Sequence, residues 1–153
     1  MRIYYENDNN KRKHYNVNSI ILYNDESFGA SYNQYFNFQV SLTEDRSFIL
    51  NFDTYSKQCL SCEGYLCFKM CKSEDISIEK YKKGELMIDI TDDEKELPMC
   101  EFLLDYKVKF DTKRLRICLG NINNDEIIMF GNGQYASFKN SKLIGIILDF
   151  KKI

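Results

Sequence analysis

The chain has 153 residues, 44% of them hydrophobic, with 11 Phe, 11 Tyr and 1 Pro. So apolar and aromatic a composition excludes a disordered chain, and the length suits a single domain over residues 1–153 that buries about two-thirds of its unfolded surface. Against 21 Lys and Arg stand 23 Asp and Glu, so the basic excess with which nucleic-acid binders neutralise phosphates is missing and nucleic acid is not an expected partner.

In chain order, Met1 to Asp8 is polar and has no apolar run, which argues against a secretory signal. No stretch approaches the roughly 18 uninterrupted apolar residues of a membrane span. The expectation is a soluble cytoplasmic protein with no membrane partner. Lys11–His14 (KRKH) is a basic cluster that reads as a solvated loop, and His14 is the single histidine.

Ser19–Tyr23 is a short apolar run closed by Asn24, Asp25 and Glu26, after which residues 24–34 have room for one short helix. In Tyr35–Leu42 the residues Phe36, Phe38, Val40 and Leu42 share one face, while Asn37, Gln39 and Ser41 share the other. That period-two alternation predicts a half-buried strand. Thr43–Arg46 makes a charged turn and Ser47–Phe52 returns, which predicts a hairpin.

Cys59, Cys62, Cys67 and Cys71 follow at close spacing. Four thiolates so near one another could ligate zinc or an iron–sulfur cluster. Zinc sites, however, usually set two Cys-x2-Cys knuckles far apart, so that the halves approach the metal from different sides. The plainer reading makes Leu66, Phe68 and Met70 the buried face of a strand, with Cys67 and Cys71 on the other face. No cofactor is therefore expected, with zinc on these four cysteines as the alternative.

Ile76–Tyr81 and Glu85–Ile90 read as strands flanking Lys82, Lys83 and Gly84, with Leu86, Ile88 and Ile90 on one face. Ser73–Lys83 also fits one helix capped by Ser73 or Asp75, but neither has a Glu or Gln three residues on, so strand is preferred. The acidic tract Asp92–Glu96 reads as a loop, with room for a short helix near 92–100. Beyond it Cys100–Phe110 alternates, placing Cys100 in phase with Phe102 and Leu104, and Leu115, Ile117 and Leu119 repeat the pattern. Cys118, in phase with Arg114 and Arg116, reads as exposed.

Glu126–Phe130, a Gly131–Gly133 turn, Gln134–Lys139, a second tight turn and Leu143–Phe150 close the chain as three hairpin-linked strands. Together these segments predict an all-β fold of about ten short strands, an antiparallel β-sandwich or a partly open β-barrel.

No set of catalytic groups emerges. A nucleophile–histidine pair would rest on His14 alone. There is no nucleophile elbow, phosphate loop or metalloprotease motif, so the chain is not expected to be an enzyme. Three acidic groups remain as candidate partner contacts: Glu44 with Asp45; Asp92, Asp93, Glu94 and Glu96; and Asp125 with Glu126. Turn carboxylates of this kind accelerate association with a basic partner surface.

The stretch Phe130–Phe150 (FGNGQYASFKNSKLIGIILDF) resembles the closing strands of small immunity proteins that accompany bacterial polymorphic toxins, contact-dependent growth inhibition systems in particular. The abundance of Asn, Lys, Ile and Tyr, a mark of AT-rich coding, points to a bacterial or phage source. The resemblance implies a non-enzymatic protein that binds a cognate toxin protein, expected to be a nuclease, and occludes it. Contact residues in such proteins differ from pair to pair, so it carries no site residue over by position. A small-ligand β-barrel with an aromatic interior is the other alternative.

Overall fold

The computed structural model describes residues 1–7, 20–23, 27–30, 36–65, 72–73, 78–102, 107–110, 114–118 and 126–152. Where apolar side chains alternate, the backbone is extended and one side-chain row is buried. In β4 (Phe38–Ser41) and β5 (Phe48–Asp53), Phe38, Val40, Phe48, Leu50 and Phe52 point into the core. Full burial of each such side chain contributes about 2–3 kcal/mol. The turn between them holds Arg46 at φ 59°. Thr43 Oγ1 accepts the Phe48 amide at 3.2 Å, which fixes the register of the hairpin.

The other strands are β1 (Arg2–Asn7), β2 (Ile20–Tyr23), β3 (Ser27–Ala30), β6 (Gln58–Tyr65), β7 (Lys72–Ser73), β8 (Lys82–Asp89), β9 (Cys100–Glu101), β10 (Lys107–Phe110), β11 (Arg114–Cys118), β12 (Glu126–Gly131), β13 (Gln134–Lys139) and β14 (Lys142–Lys152). One turn of helix, α1 (Asp92–Lys95), stands among them. The fold is all-β.

Hydrogen bonding runs in the order β1-β8-β12-β13-β14-β2-β3-β6-β5-β4-β9, with β11 also on β14, β10 on β11 and β7 on β10. The sheet curls until β6 meets β8 at a single pair, Gln58 opposite Met87. A ring therefore runs from β8 through β12, β13, β14, β2, β3 and β6, joined at that one point. Most pairs are antiparallel. Four short parallel contacts accompany them: β12 with β8, β14 with β2, β4 with β9 and β10 with β7. Each joins strands far apart in sequence, which no local pattern encodes.

One apolar cluster fills the concave side. It draws Ile3 from β1, Leu86 and Ile88 from β8, Ile128 from β12, Phe138 from β13 and Leu148 from β14 onto the β4–β5 residues. On the opposite face of β12–β14, Ile127, Tyr135 and Ile147 form a smaller cluster with Ile78 and Met129. Tyr81 stacks edge-on against Tyr135 there, with ring centroids 5.5 Å apart.

Three local expectations are corrected. Residues 78–81 are not strand; Ile78 and Tyr81 instead lie over this outer cluster. Lys82, Lys83 and Gly84 do not separate two strands but begin β8 itself. The chain passes so close at Gly84 that a Cβ would lie 2.7 Å from the Glu6 carbonyl oxygen and 2.8 Å from Ile128 Cγ2. The glycine is required by a close approach within a strand, not by a turn. Ser27–Ala30, within the segment with room for a helix, is strand β3, because it is sandwiched by pairing to β2 and β6.

The C-terminal hairpins form where the alternation predicts them. Gly133, at φ +69°, makes the first turn, and Asn140 and Ser141, at φ 50° and 62°, make the second. Among the described residues no helix is long and apolar enough to cross a membrane.

Candidate functional site

A carboxylate in a turn can serve the turn or face solvent, and the acidic groups divide on that basis. Asp45 serves its turn. Its Oδ1 accepts the Ser47 amide at 3.0 Å, and hydrogen bonds from the Ser47 hydroxyl and amide hold the carboxyl below its ordinary value. Neighbouring Glu44 projects from the same turn and is exposed.

The tract 92–96, an acidic loop with room for a short helix on sequence grounds, forms that helix over Asp92–Lys95. Thr91 Oγ1 accepts the Glu94 amide at 3.2 Å and the Glu94 carboxylate accepts the Thr91 amide at 3.0 Å, a reciprocal capping box that starts α1. Glu94 also lies 3.1 Å from the Met1 amino group. Its pKa is lowered first by the Thr91 amide and then by that amino group. The signal was present in the order Thr91, Asp92, Asp93, Glu94, although only Ser73 and Asp75 suggested caps. Asp92, Asp93 and Glu96 are exposed, and Asp92 makes an i,i+3 ion pair of 3.5 Å with Lys95. No residue of α1 is buried.

Glu126 is likewise committed internally. It accepts the Tyr5 hydroxyl and lies 2.7 Å from Lys82 Nζ, tying β12 to β1 and β8. Lys82 first and Tyr5 second lower its pKa, while the same contact raises that of Tyr5. Asp125 lies outside the described residues. Of the seven described candidate carboxylates, Glu44, Asp45, Asp92, Asp93 and Glu96 are exposed, Asp45 with one oxygen held by its own turn, and Asp92 and Asp93 stand on the one turn of helix that Glu96 caps.

The cysteine run divides too. Cys59 and Cys62 lie on β6 in the core, with exposures of 1% and 0%. The Cys62 thiol donates to Gln134 Oε1 at 3.3 Å and the Cys59 thiol to the Ser61 carbonyl at 3.5 Å. Burial pushes the Cys59 thiol up to about 12 and raises Cys62 well above its ordinary value. A register shift beside Phe52 lets both sulfurs face inward although they are three apart. Cys67, Cys71 and the predicted strand face of Leu66, Phe68 and Met70 lie outside the described residues, as does His14. Among the described residues no three His, Cys, Asp or Glu side chains are grouped as a metal site would require. Cys100 is buried, at 7% exposure, in phase with half-buried Phe102. The side chain of Cys118 lies outside the description.

Two surface features had no counterpart among the sequence candidates. Asp89 lies 2.9 Å from Arg2 and 3.0 Å from Lys57, and these contacts, Lys57 first, depress its pKa. Nearby, Asp53 accepts the Tyr55 and Ser56 amides and Asn37 accepts the Thr54 amide, a fixed turn on which Tyr55 is 91% exposed. Only an Asx-turn reading of Asp53 could have found it.

No protein-family model matches the chain, and no curated protein matches it.

Proposed function

We propose that the chain is a non-enzymatic, immunity-type protein that binds a cognate toxin domain and neutralises it by occlusion, with the acidic face of α1 as its leading contact. The carrying observation is α1 itself. The capping box and the Met1 amino group hold it, and Asp92, Asp93 and Glu96 are exposed beside a single Lys95. Carboxylates held in advance lose little freedom on binding and attract a basic surface from a distance. A nuclease domain carries such a surface, since it must hold phosphates. Glu94 and Glu126 are engaged within the fold, and exposed Glu44 and Asp45 are accessory contacts.

The test pairs this protein with the C-terminal domain of the neighbouring gene's product. A stable complex is expected. The triple change D92K/D93K/E96K should lower the association rate about tenfold or more at low salt, and added salt should shrink the difference. Absence of any complex removes the immunity reading. A complex indifferent to the triple change keeps the immunity role and removes α1 as its contact.

A further inference from the structure

Strand β6 is entered through the turn Thr54–Lys57, whose backbone is held from several sides. Asp53 accepts the Tyr55 amide at 3.2 Å through one carboxylate oxygen and the Ser56 amide at 3.2 Å through the other, and Asn37 accepts the Thr54 amide at 2.8 Å. Lys57 closes the turn at φ 63°, and its carbonyl accepts the Ile88 amide of β8 at 2.8 Å. On this fixed frame Tyr55 is, at 91%, the most exposed large hydrophobic side chain among the described residues. A tyrosine carries its ring on two rotatable bonds, so a ring on a rigid turn gives up little freedom when a partner covers it. Tyrosine is accordingly frequent among the few residues that dominate protein interfaces.

The turn and α1 are carried by the same end of β8. Lys57 reaches β8 through its carbonyl and through an ion pair of 3.0 Å with Asp89, and α1 begins at Asp92, just beyond. From β1, Arg2 lies 2.9 Å from Asp89, and the adjoining Met1 amino group lies 3.1 Å from Glu94. Through these links Tyr55 and Asp92 are at most about 30 Å apart, the width of a standard interface of roughly 800 Å² per partner. Lys57 and Arg2 share Asp89, which tempers the repulsion they would offer a basic surface.

We infer that Tyr55 is the apolar anchor of the interface to which α1 contributes its carboxylates, its ring entering a hollow in the basic surface of the cognate toxin domain. On the immunity reading on which this rests, the α1 carboxylates speed encounter and the covered ring slows release.

Binding kinetics against the C-terminal domain of the neighbouring gene's product separate the two roles. Y55A should raise the dissociation rate at least about tenfold, the scale of an interface hot spot, and leave the association rate close to wild type. The effect should persist at high salt, where that of D92K/D93K/E96K shrinks. So exposed a side chain supports no packing, so Y55A should keep the wild-type urea midpoint, which separates lost contact from lost fold. A complex from which Y55A dissociates at the wild-type rate overturns the anchor and leaves the immunity reading standing. So does a Y55A defect confined to association and abolished by salt. Absence of any complex removes the anchor and the immunity reading together.

Discussion

A methyl group at Gly84 would collide with two things that cannot yield easily: the Glu6 carbonyl of the neighbouring strand and the packed Ile128 side chain, at 2.7 and 2.8 Å. G84A should therefore destabilise the fold by roughly 2–3 kcal/mol, as overpacking does. Urea unfolding should show a lower midpoint at an unchanged slope. Glu126 makes a different prediction. Its folded pKa lies below the ordinary 4.5, so its contribution is present above that value and is lost as pH falls through the folded pKa. E126Q should cost under about 1 kcal/mol at neutral pH, because the Lys82 pair is largely exposed. The difference from wild type should shrink as unfolding is repeated at progressively lower pH below about 4.5. A gap that stayed constant through acid would contradict this assignment.

At the scale of elements, α1 depends on its first residue before the turn. T91A removes one half of the capping box and should cost about 1 kcal/mol. With no residue of α1 buried, the loss should appear as faster amide exchange at Asp93, Glu94 and Lys95, while β4 and β5 stay protected. Elements such as this show what was legible in the sequence. The β4–β5 hairpin was readable because Phe38, Val40 and Leu42 alternate beside a turn of Thr43–Arg46, all of it local. The Thr91–Glu94 box was readable too, at residues read as a loop. Strand β1 was not: Arg2–Asn7 has weak alternation, and what makes it a strand is β8, distant in the chain. The commitment of Glu126 was hidden for the same reason, since Tyr5 and Lys82 reach it only after three strands have assembled.

For the whole molecule, the buried thiols report on global opening. Cys59 and Cys62 lie deep in the shared core and are held protonated. A thiol reagent should modify them only when the sheet as a whole unfolds. Mass spectrometry of the labelled peptides should find both sites protected in buffer and modified together across the urea transition. Modification of either one well before that transition would mean that β6 opens separately from the rest.

The parallel contact of β14 with β2 has a consequence for synthesis. Ile20, Ile21 and Leu22 pair early with β3 on one side, but their partners on the other, Phe150, Lys151 and Lys152, are made much later, and β1 likewise waits for β8. A ribosome-bound chain thus carries β1 without β8, and β2 with one edge unfilled, until those distant strands have been made, a period in which unpaired edges invite aggregation. The ring closes only after that wait, so folding is expected to finish late, and trigger-type chaperones that shield nascent apolar segments should raise the yield of soluble protein.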